Sequence, residues 1–200
     1  IGASTRLAIE LENSPNRRLA GKWIPGEATW NGGECMIEEL DDGRLYLVVR
    51  DQARYDGKKA VAWSSDGGFS WSPLKIEPQL PGPGCQSSLI RFPSSSASKS
   101  ETYLFSGITL DNRPTAKIGD GGDGAQSPAM EKPTLKGRQR LALYVSTDGC
   151  QNWYEAGVLH QEASAYSDLV VLPDGTILCF YEGGRERAYE SIRLARFTLK

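Results

Sequence analysis

The residues best placed for chemistry lie in the stretch 164–184, SAYSDLVVLPDGTILCFYEGG. Two apolar runs flank Pro173, Asp174 and Gly175, which is the pattern of two strands joined by a tight turn. Tyr166 begins the first strand, and Tyr181-Glu182 closes the second, so both sites lie far from the turn. A phenol and a carboxylate therefore share the open rim of one hairpin. A phenol titrates near 10 and is a poor nucleophile at neutral pH unless a base takes its proton. The plainer reading of Tyr166, a hydrogen-bonded strand tyrosine, needs no such partner. The remaining elements decide between the two.

Those elements are short strands. The chain gives a strand at Arg6–Leu11, a polar loop, and then Trp23 and Trp30. From there similar units follow: 35–40, the turn Asp41-Asp42-Gly43, 45–50, 58–64, and a fourth strand in SPLKIEP, 72–78. The pattern restarts at 86–92, 101–109, 140–146 and 154–160, and again at 167–173, 177–183 and 191–199. No convincing amphipathic helix interrupts it. Repeated four-stranded meanders predict an all-β β-propeller.

A turn motif supports this. Ser64-x-Asp66-x-Gly68-x-Ser70-Trp71 matches the Asp box, Ser-x-Asp-x-Gly-x-Thr-Trp. Ser146-x-Asp148-x-Cys150-x-Asn152-Trp153 matches it with the glycine and threonine replaced, and Trp23 closes a degraded third copy. The carboxylate can accept backbone N–H groups in a tight turn, glycine permits positive φ, and the tryptophan packs between blades. The box is a fold element and carries no chemistry.

The two boxes are separated by more chain than one blade needs. The excess falls in 93–100 (PSSSASKS), a loop tip, and in 111–137, a Gly-, Pro- and Lys-rich surface-loop insert. Gly119-x-Gly121-x-x-Gly124 formally fits a dinucleotide fingerprint, but no strand–helix context surrounds it, and Asp120 and Asp123 would repel a phosphate.

The bulk composition is that of an ordinary soluble protein, with 39% hydrophobic residues, 24% charged residues and a net charge of −2. It offers no basic stripe for nucleic acid and no apolar run long enough to span a membrane. The four cysteines lack metal-like spacing; Cys35 and Cys179 sit in apolar strand runs and are expected to be buried thiols. The single histidine, His160, is read as structural or surface-placed. No metal site is readable and no cofactor is implied. The chain starts at Ile1 in mid-pattern, as a processed or truncated product would, and a secreted or periplasmic setting is slightly favoured.

Further stretches narrow the reading. GECMIEEL (33–40), LYLVVR (45–50), GPGCQSSLIRF (82–92), Gly137-Arg138-x-Arg140 before the box serine Ser146, and Ala165-Tyr166-Ser167-Asp168-Leu169 with Tyr181-Glu182 together resemble the exo-α-sialidases (neuraminidases). Gly33 stands where that family usually has Asn. The resemblance runs from about residue 20 to the end. It implies a six-bladed β-propeller of the sialidase type, of which residues 1–200 form roughly the C-terminal half of one domain. It further implies that a first sialate-binding arginine and an Asp acid/base belong to the part preceding this chain. A half propeller would leave two open blade faces.

By resemblance Arg50 and Arg138 bind the sialate carboxylate, with Arg140 as the fallback for Arg138 on the same face. Planar bidentate cations suit that task. Tyr166 is the nucleophile and Glu34 its base; Glu182 is a support residue that orients the first arginine. A neutral phenol avoids the repulsion that a carboxylate nucleophile would meet at an anomeric carbon bearing its own carboxylate, and sialidases are the tyrosine exception among glycosidases. The implied function is retaining hydrolysis of terminal α-linked sialic acid from sialylated glycans, or action on a related keto-acid sugar by hydrolysis or transfer. The alternative is a non-catalytic Asp-box propeller, a glycan-binding or interaction module; Gly33, Cys150 and Asn152 fit it. Oligomeric state is left open.

Overall fold

Strand-forming apolar runs become strands throughout the computed structural model, which describes residues 4–10, 20–26, 32–51, 57–93, 102–109 and 138–199. β1 (Ser4–Glu10) and β2 (Ala20–Gly26) make a two-stranded antiparallel sheet. β3 (Gly32–Glu39), β4 (Leu45–Asp51), β5 (Lys58–Ser64) and β6 (Lys75–Pro81) form a four-stranded antiparallel meander. A six-stranded sheet holds β7 (Ser88–Arg91), β8 (Tyr103–Thr109), β9 (Gln139–Ser146), β10 (Tyr154–Val171), β11 (Ile177–Gly183) and β12 (Ser191–Phe197) in consecutive order. The fourth strand starts later than SPLKIEP suggests. Ser72 still closes the preceding turn, exchanging bonds with Trp63, and ladder pairing begins at Lys75↔Val61.

The largest departure from the expected strands is β10. Two strands, 154–160 and 167–173, are in fact one of 18 residues. Its first part pairs with β9 and its last part with β11, so a single strand passes from one meander into the next.

The layers stack as propeller blades do. Between the first meander and the second lies a core of Tyr46, Val48, Val61 and Leu80 against Leu89, Tyr103, Phe105 and Tyr144. Between the second and third lies another, with Leu104, Ile108, Leu141 and Leu143 against Ala165, Leu169, Ile177 and Cys179. β8 feeds both cores from alternate residues, which is why six of its seven residues are buried and it reads as a continuous apolar run. Exposed apolar side chains include Ile37 on the four-stranded sheet and Val170, Phe180, Ile192 and Leu194 on the six-stranded one.

Both Asp boxes form. Asp66 accepts from the backbone N–H and hydroxyl of Ser70, at 2.9 and 2.6 Å, and Ser64 Oγ receives the Gly68 N–H. In the second box Asn152 supplies both donors to Asp148, at 2.9 and 2.7 Å, so the amide does the work of the missing threonine. Cys150 takes the glycine's place at φ 64° and still donates its N–H to Ser146 Oγ. Trp153 then packs between blades, against Tyr46 on one side and Phe105 on the other.

Cys35 is exposed, contrary to the buried thiol expected. It pairs with Val49 and shares the outer face of β3 with Ile37, where no described layer covers the edge strand. Cys85, Cys150 and Cys179 are buried. The insert expected at 111–137, the Gly119 motif and all but Pro93 of the 93–100 loop tip lie outside the described residues, as does the side chain of Trp23.

Candidate active site

The site forms where β10 changes sheets. Ser164 donates its N–H to the Arg138 carbonyl, and Ala163 accepts from Gly184 N–H, which fastens the changeover to β9 on one side and β11 on the other. The β10–β11 register then slips between Ser164 and Ser167, leaving one extra residue on β10. Such a bulge re-aims side chains and frees a backbone donor. Here the freed donor is Tyr166 N–H, which binds Glu182 Oε2 at 3.1 Å.

The Tyr166 side chain meets the first meander. Its hydroxyl donates to Glu34 Oε1 at 2.6 Å, and Arg50 Nη1 lies 3.4 Å from the phenol oxygen. The same Nη1 bridges both Glu34 oxygens, at 2.7 and 3.0 Å. Three side chains from β3, β4 and β10 thus form one closed, part-buried triangle. Arg50 Nε is buried and has no hydrogen-bond partner among the described residues.

The electrostatics follow from this triangle. Partial burial pushes the Glu34 carboxyl up, but the Tyr166 hydroxyl, the Glu34 amide and the Arg50 charge outweigh it, and its pKa lies below the ordinary value. The same bond to Glu34, with burial and the carboxylate charge, raises the Tyr166 phenol, against a smaller opposing effect of Arg50. At neutral pH the pair therefore rests as carboxylate and neutral phenol. A proton leaving the phenol has the Glu34 carboxylate to accept it.

Arg138 reaches the same place from the start of β9. Its guanidinium lies 5.8 Å from the Tyr166 ring centroid and donates to the Gly84 carbonyl at 3.1 Å and to the Tyr189 hydroxyl. Arg140 does not share that face. It sits in left-handed backbone, φ 55°, at a bulge where the pairing with both β8 and β10 slips. Strand alternation fails there, and Arg140 instead makes a bidentate pair with Glu155, at 2.9 and 2.6 Å. It is no substitute for Arg138. His160 binds the Gly184 carbonyl through Nε2 at 3.0 Å and lies beside Tyr181, a structural place. Among the described residues no three His, Cys, Asp or Glu side chains group as a metal site.

Lys59 escaped the sequence reading. It is fully buried, 0% exposed, and its Nζ donates to the Cys85 carbonyl at 2.5 Å. A signal existed: Lys59 alternates with Val61, which faces the first core, so it occupies a core position. Burial pushes its pKa down to about 8; Arg50 adds to this, while Cys85 and Glu34 oppose it. An unfolded lysine keeps its proton until about 10.4. Between those values the unfolded chain binds more protons, so stability rises with pH there, and the full cost of burying the charge is felt below about 8. The gap corresponds to about 3 kcal/mol. In the full-length protein, Lys59→Met is expected to lose this rise: its thermal midpoint should fall relative to wild type as pH goes from about 7.5 to 10. Parallel midpoints across that range would contradict the assignment.

Three comparisons bear on the site. The model of the BNR repeat-like domain matches residues 4–179. A sialidase from Micromonospora viridifaciens is 33% identical over 177 residues, which cover 86% of this chain and 24% of that protein. In structure the chain is similar to a Hadza microbial sialidase (TM-score 0.64, 24% identity, 88% of this chain and 30% of that one) and to an intramolecular trans-sialidase from Ruminococcus gnavus solved with oseltamivir carboxylate (TM-score 0.61, 23% identity, 88% and 35%). The fold is thus that of part of a sialidase-type β-propeller, and the chain spans about a quarter to a third of each of these relatives.

Proposed function

Because the chain belongs to the family of BNR repeat-like domains, with a sialidase among its relatives, we propose that it is part of a retaining exo-α-sialidase acting on terminal α-linked sialic acid. One observation carries the proposal: the Tyr166 hydroxyl donates to Glu34 Oε1 at 2.6 Å while Arg50 bridges the same carboxylate. A scaffold or lectin has no use for a phenol held against a base at the junction of three elements.

In this reading Tyr166 Oη attacks the anomeric carbon and its proton passes to Glu34. The bond to the glycoside oxygen breaks through an oxocarbenium-like transition state. That oxygen takes a proton from an acid, which the family resemblance places outside residues 1–200. Water, giving a proton to the now deprotonated acid, then attacks the glycosyl-tyrosine, and Glu34 returns its proton to the departing phenol oxygen. Arg50 and Arg138, on either side of Tyr166, hold the sialate carboxylate. Glu182 keeps the Tyr166 peptide in place through the backbone N–H, a task beyond that of orienting a further arginine.

The test is turnover of a fluorogenic α-sialoside by the full-length protein, with the first-formed product followed by NMR. Release of the α-anomer before mutarotation is expected. A β-anomer released first would overturn the nucleophile assignment, and binding without turnover would favour the glycan-binding module.

A further inference from the structure

On the reading that Tyr166 is the nucleophile, we propose that Gln86 is its positioning residue: the Gln86 side-chain amide replaces a strand neighbour beside the Ser167 peptide and so fixes the line along which Tyr166 is presented. Past the changeover, β10 has left β9 and is paired only with β11, which leaves one edge without a strand. Side chains from the segment before β8 take over that edge. Gln86 Oε1 accepts the Ser167 N–H at 3.1 Å, and Gln86 Nε2 donates to the Ser167 carbonyl at 3.1 Å. Two residues on, Ser88 Oγ accepts the Leu169 N–H at 3.0 Å and donates to Asp168 at 3.1 Å. The Ser167 and Ser106 hydroxyls meet at 2.8 Å. Tyr166 itself is held from the other side by Glu182. The nucleophile thus stands on a bulge, where backbone is least constrained, and both flanking peptides are held by side chains.

The Gln86 segment is in turn fixed. Lys59 donates to the Cys85 carbonyl and Arg138 to the Gly84 carbonyl, so two cations hold successive peptides. Gly82 packs so closely on Lys59 and Lys58 that a Cβ there would come within 2.8–2.9 Å of them. Gln86 Nε2 also donates to the Ser87 carbonyl at 2.6 Å, which orients the amide. A displacement of about 1 Å in a reacting group can cost about a hundredfold in rate. Ser167 is buried, so removing the amide without admitting water leaves its N–H and carbonyl unpaired and is expected to lower stability as well; the rate is therefore read per folded, labelled site.

The experiment compares Gln86→Met, which keeps the volume and removes both bonds to Ser167 and the one to the Ser87 carbonyl, with wild type and with Tyr166→Phe, all in the full-length protein. For Gln86→Met, kcat on a fluorogenic α-sialoside should fall by about 10- to 100-fold while KM stays within about twofold. The rate at which a mechanism-based fluorosugar labels Tyr166 should fall in parallel, and Gln86→Glu, which sets a carboxylate oxygen against the Ser167 and Ser87 carbonyls, should not restore it. A kcat for Gln86→Met within twofold of wild type overturns the inference. So does a loss matched by a smaller folded fraction, with the rate per labelled site unchanged. If Tyr166→Phe is inactive and Gln86→Met is not, only the positioning role fails. If Tyr166→Phe retains normal turnover, the reading of the site fails and the inference with it.

Discussion

Tyr166→Phe in the full-length protein is expected to lower kcat/KM on a fluorogenic α-sialoside by at least about 10³-fold, with KM little changed. The expectation follows from what the substitution removes. The ring stays, with its place under Arg138, and the backbone bonds of Tyr166 and Ser167 do not involve the hydroxyl. Only the phenol oxygen goes, and with it the contacts to Glu34 and Arg50. Those two groups still pair with each other, so the thermal midpoint should stay within a few degrees. Any residual reaction must proceed by another route, and its first product need not be the retained anomer. A variant that keeps both the rate and the stereochemistry of wild type would remove Tyr166 from the mechanism.

Glu34→Gln is expected to cost about 10²- to 10⁴-fold in kcat/KM, the range for loss of a positioned base. The carboxylate has a pKa below the ordinary glutamate range, so in wild type this base fails only as pH falls through that depressed value. The variant should lack the acidic limb due to Glu34. A second readout is independent of turnover. The bond and charge of Glu34 hold the Tyr166 phenol above its usual pKa. Without them the phenol should ionise at lower pH, as measured by the ultraviolet difference between Glu34→Gln and Glu34→Gln/Tyr166→Phe. A kcat/KM within tenfold of wild type, or a phenol that titrates no earlier, would exclude Glu34 as the base.

Much of the fold is legible because its signals are local. Apolar runs of strand length, the Asp41-Asp42-Gly43 and Asp174-Gly175 turns and two Asp boxes each report on a few adjacent residues. The second box shows how far that holds: Asn152 and Cys150 look like damage in the sequence, yet each makes the bond the motif requires. Convergence of Glu34, Arg50, Arg138, Tyr166 and Glu182 was expected from family resemblance, and the structure brings all five to one rim.

What was missed depends on departures from alternation or on partners distant in sequence. Arg140 follows Arg138 by two and should share its face, but a left-handed residue at a double bulge turns it to Glu155. Cys35 lies in an apolar run, yet only a covering layer decides whether an edge-strand face is buried. Gln86 lies in a stretch that resembles the family, but its role rests on Ser167, which no local pattern pairs with it.

One strand's double membership has a further consequence. β10 belongs to two meanders, and Tyr166 stands just past the point where it passes between them. A stretch of strand with one neighbour can fray alone, but past the changeover β10 is paired with β11 on one edge and held by the Gln86 and Ser88 side chains on the other. The Ser167 and Leu169 amides are therefore released only when their bonds to Gln86 and Ser88 break. Hydrogen exchange at these two amides is expected to be slower than at an unprotected strand edge, which keeps the backbone beside Tyr166 in register.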